Sequence, residues 1–235
     1  MNNNESIRKL YNASGIHSTT DPDNPKSQFA VDRFEKHLRK LIRPGMRTLD
    51  LGCNAGRFTF AMENLGASAT GIDCAEIPIM HAKKVAQKRN SRCQFNIGDL
   101  GFLPYRDNSF DFALLLSNIV EISYETLENM TVQLKQILSD NGLFVVFMHD
   151  EFIKRIGEKS FLNQYNVTTG SVGGYSTLPD KGAFFYPTYY WTVGYAKYII
   201  EQHLFCKVVE QIEENMFVLV FCNIVSNDVT KRNTS

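Results

Sequence analysis

The chain has 235 residues, enough for one substantial core, and no break in composition divides it into two independently folded domains. It is 43% hydrophobic and 21% charged, and 25 Lys+Arg balance 25 Asp+Glu, which removes any bulk pull toward nucleic acid or an anionic membrane. The five cysteines (Cys53, Cys74, Cys93, Cys206, Cys222) form no CxxC pair, so no zinc site or disulfide framework is expected; without an apolar stretch of signal-peptide or membrane-span length, the expected location is cytoplasmic.

In chain order, residues 1–26 are expected to be a flexible segment able to act as a lid, with Tyr11 and His17 of LYNASGIHS as candidates near a ligand. SQFAVDRFEKHLRKLI (27–42) spaces Phe29, Val31, Phe34, Leu38 and Ile42 at roughly helical intervals, and RPG ends it. The run RTLDLGC predicts a strand, GRFTFAMENLG a helix stopped by Gly66, and ASATGID a second strand. AEIPIMHAKKVAQKRN reads as a helix with Pro78 in its first turns; its KKVAQKR stripe is most simply a solvated face. CQFNIGD and FDFALLLS predict two short strands, SYETLENMTVQLKQILSDNG a helix closed by Asn-Gly, and LFVVFMH a strand buried on both faces. The aromatic-rich stretch 164–191 shows no helical period and suggests hairpins or a covering loop, and TVGYAKYIIEQH then gives a helix. FCKVVEQIE and MFVLVFCNIV follow as an antiparallel hairpin at the sheet edge, and 226–235 is expected to be a flexible tail.

Strands alternating with helices to about residue 150 predict right-handed βαβ units. The fold class is α/β: a doubly wound, mostly parallel sheet with an antiparallel C-terminal edge hairpin, in one domain over 27–225 with its core at 45–150.

The loop GCNAG between the first strand and first helix is placed so that backbone N–H groups and a helix N-terminus can face a ligand. Alone it is weak, because Gly52 and Gly56 serve chain reversal equally well. Asp73 ends the second strand about 20 residues later, where a carboxylate can accept hydrogen bonds from ribose hydroxyls, and the two features in register favour a nucleotide-type ligand.

These residues resemble the class I (Rossmann-like, seven-stranded) S-adenosylmethionine-dependent methyltransferases. LDLGCNAGRFT resembles their first motif, D-x-G-x-G-x-G, with Asp50, Gly52 and Gly56 matching and Asn54 departing. GIDCAEIPIMHAK is similar to the second motif and NIGDLGFLPYRDNSFDFALLLSNIVE to the stretch that follows; the resemblance spans residues 45 to 150. It implies a seven-stranded sheet and S-adenosyl-L-methionine as cofactor, with S-adenosyl-L-homocysteine as product. Asp73 would hold the ribose, Asp99 with Leu100 the adenine, and Asp50, Gly52, Cys53, Asn54 and Gly56 the methionine moiety, with Cys74 and Ser117 at the border. A dinucleotide-binding oxidoreductase shares the glycine loop and the acidic residue, but not the GDxxxLPYxxxxFD segment. Asn54 is compatible with a working loop, because Asn tolerates the left-handed region at a strain of about 1 kcal/mol.

Methyl transfer from a sulfonium needs positioning and desolvation more than a particular catalytic group. His149, at the end of the fifth predicted strand, is a candidate proton acceptor, with a structural role as the alternative, and Tyr190 is a second catalytic candidate. Tyr175, Phe184, Phe185, Tyr186, Tyr189, Tyr190 and Trp191 suit the wall of a substrate pocket; core packing or the face of a homodimer stays open. SNIVE (117–121) carries no Asp/Asn-Pro-Pro-aromatic tetrad, and no Pro-Cys nucleophile is present, so a nucleic-acid acceptor is not expected. The expected function is methylation of a small-molecule oxygen, nitrogen or carbon; a protein or lipid acceptor, or a catalytically silent cofactor-binding subunit, are the alternatives.

Overall fold

The computed structural model describes residues 3–116, 118–150, 165–166, 171–178, 182–189 and 191–224; at 3–4, 118, 165–166, 171–178 and 182–187 the backbone alone is described. The main sheet contains β1 (Arg47–Leu51), β2 (Ser68–Asp73), β3 (Gln94–Ile97), β4 (Phe110–Leu116), β5 (Leu138–His149), β9 (Phe205–Glu213) and β10 (Met216–Cys222), in the spatial order β3-β2-β1-β4-β5-β10-β9. β1 to β5 pair in parallel, while β10 runs antiparallel to both β5 and β9. The chain steps outward from β1 to β2 and β3, then returns to lay β4 on the other side of β1. That reversal leaves a crevice beyond the carboxyl ends of β1 and β4, the usual ligand position of open α/β sheets.

Helices cover both faces. On one, α5 (Tyr124–Ile137) and α6 (Val193–Glu201) bury Leu127, Met130, Leu134 and Ile200 against Leu49, Leu115, Val146 and Phe221. On the other, α2 (Pro25–Leu41) and α3 (Arg57–Asn64) bury Phe34, Leu38, Phe58 and Met62 against Phe112, Leu114, Val145 and Phe147. The two-residue alternation of β4 and β5 thus supplies both layers. α2 starts with Pro25 behind Asn24, whose side chain accepts from the Lys26 N–H at 3.0 Å. Phe29, expected on its apolar stripe, is 76% exposed, since it does not share the face of Val31, Phe34 and Leu38. α4 (Glu76–Arg89) closes on Asn90 in the left-handed conformation, φ 55°.

Two expectations change, and the hairpin expectation for 164–191 holds. The polar start contains helix α1 (Asn3–Ser14), with Ile7 and Leu10 buried. The helix before β5 stops at Ile137 rather than at Asn-Gly, because residues from Leu138 are captured by β4 (Phe110 opposite Leu138) and Asn141 donates its N–H to the Asn223 carbonyl at 2.8 Å. Asn141–Gly142 therefore makes an irregularity inside a strand, with Asn141 at φ 63°. In the 164–191 stretch β6 (Tyr165–Asn166), β7 (Ser171–Leu178) and β8 (Gly182–Tyr189) form a separate antiparallel sheet. Among the described residues no helix is long and apolar enough to cross a membrane.

Candidate functional site

A cleft holding about 930 Å³ of space, partly open to solvent, lies at the crevice between β1 and β4. Its floor is the loop after β1. Gly52 and Cys53 donate their N–H groups to the Ile72 carbonyl at 2.8 and 3.0 Å, binding the loop to β2. Asn54 takes φ 49°, the left-handed conformation expected for it, and its side-chain oxygen accepts from the Ala55 N–H at 2.8 Å. Gly56 opens α3 at φ 88°, and a Cβ there would stand 2.5 Å from the Phe95 ring. At Gly71 a Cβ would meet the Cys53 sulfur at 2.6 Å, so the second strand lies close under the loop.

Two buried carboxylates hold this floor. Asp50 accepts from Thr59 Oγ1 at 2.7 Å, and burial pushes its pKa up to about 6. Asp73 accepts the Asn54 N–H at 2.8 Å through Oδ2 and the Ala75 N–H at 2.9 Å through Oδ1; burial again pushes it upward, against those amides. The residue expected at the ribose is thus also the tie between the two loops that shape the cleft. Asp99 accepts the Gly101 N–H at 2.8 Å and, with Leu100, lines the same cleft. Burial holds the Cys53 and Cys74 thiols above their usual range, Cys74 at about 12, so both are neutral linings.

The far wall comes from the turn after β4 and from α1, within the 1–26 segment expected to act as a lid. After β4 a 3₁₀ turn, Asn118–Glu121, presents Glu121, whose Oε1 accepts the Tyr11 hydroxyl of α1. Burial, partly opposed by that hydrogen bond, moves the Glu121 pKa up to about 7. The turn is fixed from behind by Trp191, buried in the core, whose indole N–H donates to the Ile122 carbonyl at 3.2 Å. α1 and the strap after it are tied to α4: Asn12 accepts the Ile77 N–H at 2.9 Å, Asp21 meets His81 at 3.1 Å, and Asp23 accepts from Lys88 at 3.0 Å and Arg89 at 2.6 Å. Part of the basic stripe on α4 is therefore a fastening rather than only a solvated face. Arg57, at the start of α3, donates to the Thr19 carbonyl and lies 4.8 Å from the Phe58 ring.

Asp50, Gly52, Cys53, Asn54, Asp73, Cys74, Asp99 and Leu100 line one cleft, whereas Gly56, which caps α3, is not among the lining residues. Ser117 and Tyr190 lie outside the described residues, as do the side chains of Tyr175, Phe184, Phe185 and Tyr186. His149 is not among the residues lining the cleft; it lies opposite Met216 of β10, at the end of the sheet where Glu213 pairs with Arg33 of α2. Asp150 accepts the Val193 N–H at 3.0 Å, at the start of α6. Tyr189 and Trp191 belong to the core, and His17 is exposed with Nδ1 2.8 Å from Thr19 Oγ1. Tyr11, Arg57, Glu121 and Thr126 are among the other lining residues. Of these, Tyr11 was expected near a ligand, and Glu121, in SNIVE one turn beyond a buried strand, is one that sequence reasoning passed over.

Electrostatically the cleft receives Asp50, Asp73, Asp99 and Glu121 against one arginine. Such a lining favours a ligand with positive charge and opposes the pyrophosphate of a dinucleotide. The glycine loop and the carboxylates near the ends of β1 and β2 and after β3 fit a nucleoside bearing a cationic amino-acid arm.

Comparison with known proteins agrees. Residues 42–229 match the family model described as "Methyltransferase domain". Sterol 24-C-methyltransferase ERG6B of Gibberella zeae is 30% identical over 129 residues, 50% of this chain and 32% of that protein. Ribosomal protein L11 methyltransferase of Thermosipho melanesiensis is 32% identical over 135 residues, 57% of this chain and 45% of its own. The chain thus spans less than half the length of these curated relatives. A solved S-adenosylmethionine-dependent methyltransferase from Methanosarcina mazei superposes with a TM-score of 0.69 at 17% identity, covering 80% of this chain and 97% of that one, which supports the fold. With the motifs, the sheet order and the cleft in agreement, the chain belongs to the methyltransferase-domain family, among the class I S-adenosylmethionine-dependent methyltransferases.

Proposed function

We propose that the protein transfers a methyl group from S-adenosylmethionine to an oxygen, nitrogen or carbon atom of a small-molecule acceptor. In this reading the 52–56 loop and Asp50 face the methionine arm, Asp73 the ribose hydroxyls, and Asp99 with Leu100 the adenine. When bound, the cofactor supplies a methyl group already activated on a positively charged sulfur. The protein's share is to exclude water and to present carboxylates that favour that charge.

The observation that carries the small-molecule reading is the cover. Ile7 and Tyr11 of α1, with Thr20 of the strap, close one side of the cleft and are fastened to α4 and Glu121, which suits an acceptor that enters whole. Balanced charge argues against a nucleic-acid acceptor, and the reading takes 27–225 as one cytoplasmic catalytic domain. The test is to incubate the chain with methyl-labelled S-adenosylmethionine and a cell extract, then separate small molecules, lipids, proteins and nucleic acids. Label in the small-molecule fraction is expected. Label confined to protein or lipid overturns the acceptor class, and cofactor binding with no label in any fraction supports a silent binding subunit.

A further inference from the structure

Among the described residues, Glu121 is the one acidic residue of the cleft that comes from the β4 side, and nothing in the donor assignment uses it. Its neighbours decide what it can do. From α1 it meets Tyr11, a neutral hydroxyl that donates to Oε1. Across the cleft stand Asp73 at the end of β2, Cys74 just beyond it, Asp99 beyond β3 and Asp50 of β1; Thr126 of α5 lies on its own side. Arg57, the cation of the lining, is turned to the Thr19 carbonyl and the Phe58 ring. Among the described residues, Glu121 thus faces acids and a neutral donor, in a partly closed cavity.

We propose that Glu121 separates the donor from its spent product. It is ionised when a sulfonium shares the cleft and protonated when the bound sulfur is a neutral thioether, so the charged ligand is held in preference. The inference rests on the donor assignment above. The proton balance is simple: binding the cation drives the Glu121 proton to solvent, and the proton returns once the ligand has lost its charge. Burial places this carboxyl's pKa at about 7, so both forms are populated at neutral pH and a nearby charge can choose between them. Ionisation also turns the Tyr11 bond into a charge-assisted one, fastening α1 more firmly over a charged ligand than over a neutral one.

The experiment uses S-adenosylmethionine and S-adenosylhomocysteine as probes, titrated calorimetrically at pH 7 in two buffers of different ionisation heat. The wild-type chain should release more proton on binding the sulfonium than on binding the thioether. Glu121→Gln should remove that excess and lower the donor-to-product affinity ratio about tenfold, the equivalent of one pKa unit. Titration of the ligands' own amino groups is common to both proteins and cancels in the comparison. Tyr11→Phe keeps the carboxylate but removes the bond that lowers its pKa, so the pH at which the excess release is greatest should move upward. Donor binding with an excess that is unchanged in Glu121→Gln, or a maximum unmoved in pH in Tyr11→Phe, overturns the inference alone. A folded wild-type chain that binds neither ligand overturns the donor assignment, and this inference with it.

Discussion

Asp73→Ala perturbs the cleft where it is most tightly constructed. The substitution removes the acceptor from two backbone N–H groups at once, those of Asn54 at 2.8 Å and Ala75 at 2.9 Å. A buried amide without an acceptor costs about 1–3 kcal/mol. Ala75 is fully buried and warrants the upper part of that range, while the Asn54 amide borders the cleft, where water can substitute. Together they give about 3 kcal/mol. The carboxylate itself is held at a cost, since burial raises its pKa, and its removal recovers part of the loss. The net destabilisation expected is about 2 kcal/mol. Binding of S-adenosylmethionine should weaken by a further ~1.5–3 kcal/mol, the size of a hydrogen bond to a charged acceptor, or about tenfold to a hundredfold in Kd. Urea unfolding followed by circular dichroism reads the first effect, and calorimetry at pH 7.5 reads the second. A folded variant with wild-type midpoint and wild-type affinity would refute both roles. A lowered midpoint with unchanged affinity would leave Asp73 as a loop tie and remove it from the ligand.

Gly56→Ala combines a positive φ of 88° with a Cβ 2.5 Å from the Phe95 ring, so a loss of about 3 kcal/mol is expected in urea unfolding, and a loss below ~1 kcal/mol would contradict the close packing. Glu121 and Asp111 give opposite pH signatures. The Glu121 pKa is raised to about 7 in the fold, so its contribution is complete below its ordinary value near 4.5 and is lost as pH rises through about 7. Ligand-free Glu121→Gln should therefore be more stable than wild type by about 2–3 kcal/mol at pH 8 and lose that advantage below pH ~4.5, as read by thermal melts. Asp111, held down to about 2 chiefly by Arg47, contributes above its ordinary value near 3.8 and loses that contribution as pH falls through about 2. The pair is partly exposed, so Asp111→Ala should cost only about 1 kcal/mol at pH 7. Because Arg47 and Asp111 stand at the strand ends opposite the cleft, the same variant should bind S-adenosylmethionine as wild type does.

The parts of the site legible in the sequence were those made by local chemistry. A strand, a glycine turn and a helix N-terminus are adjacent in the chain, and Asp73 ends a parallel strand at the ligand edge of the sheet, while Asp50 and Asp99 were placed by their resemblance to the methyltransferase motifs. Asn54 was legible because few non-glycine residues accept its conformation. What escaped depends on distant partners. α1 has weak intrinsic signals in NNESIRKLYNAS and is held by burial of Ile7 and Leu10 and by Glu121, 110 residues beyond Tyr11. The start of β5 was hidden because Asn-Gly is a good helix stop, whereas pairing with β4 and the Asn223 carbonyl claims the chain before it. His149 was placed correctly at a strand end; strand alternation puts it with Val145 and Phe147, on the α2 side of the sheet.

The most direct measurement is equilibrium binding of S-adenosylmethionine and of a nicotinamide dinucleotide to the purified chain, side by side. Saturable binding of S-adenosylmethionine at one site per chain, with the dinucleotide excluded by the acidic lining, is the expected result. Binding of the dinucleotide with no binding of S-adenosylmethionine would contradict the assignment of the glycine loop and of Asp73 together.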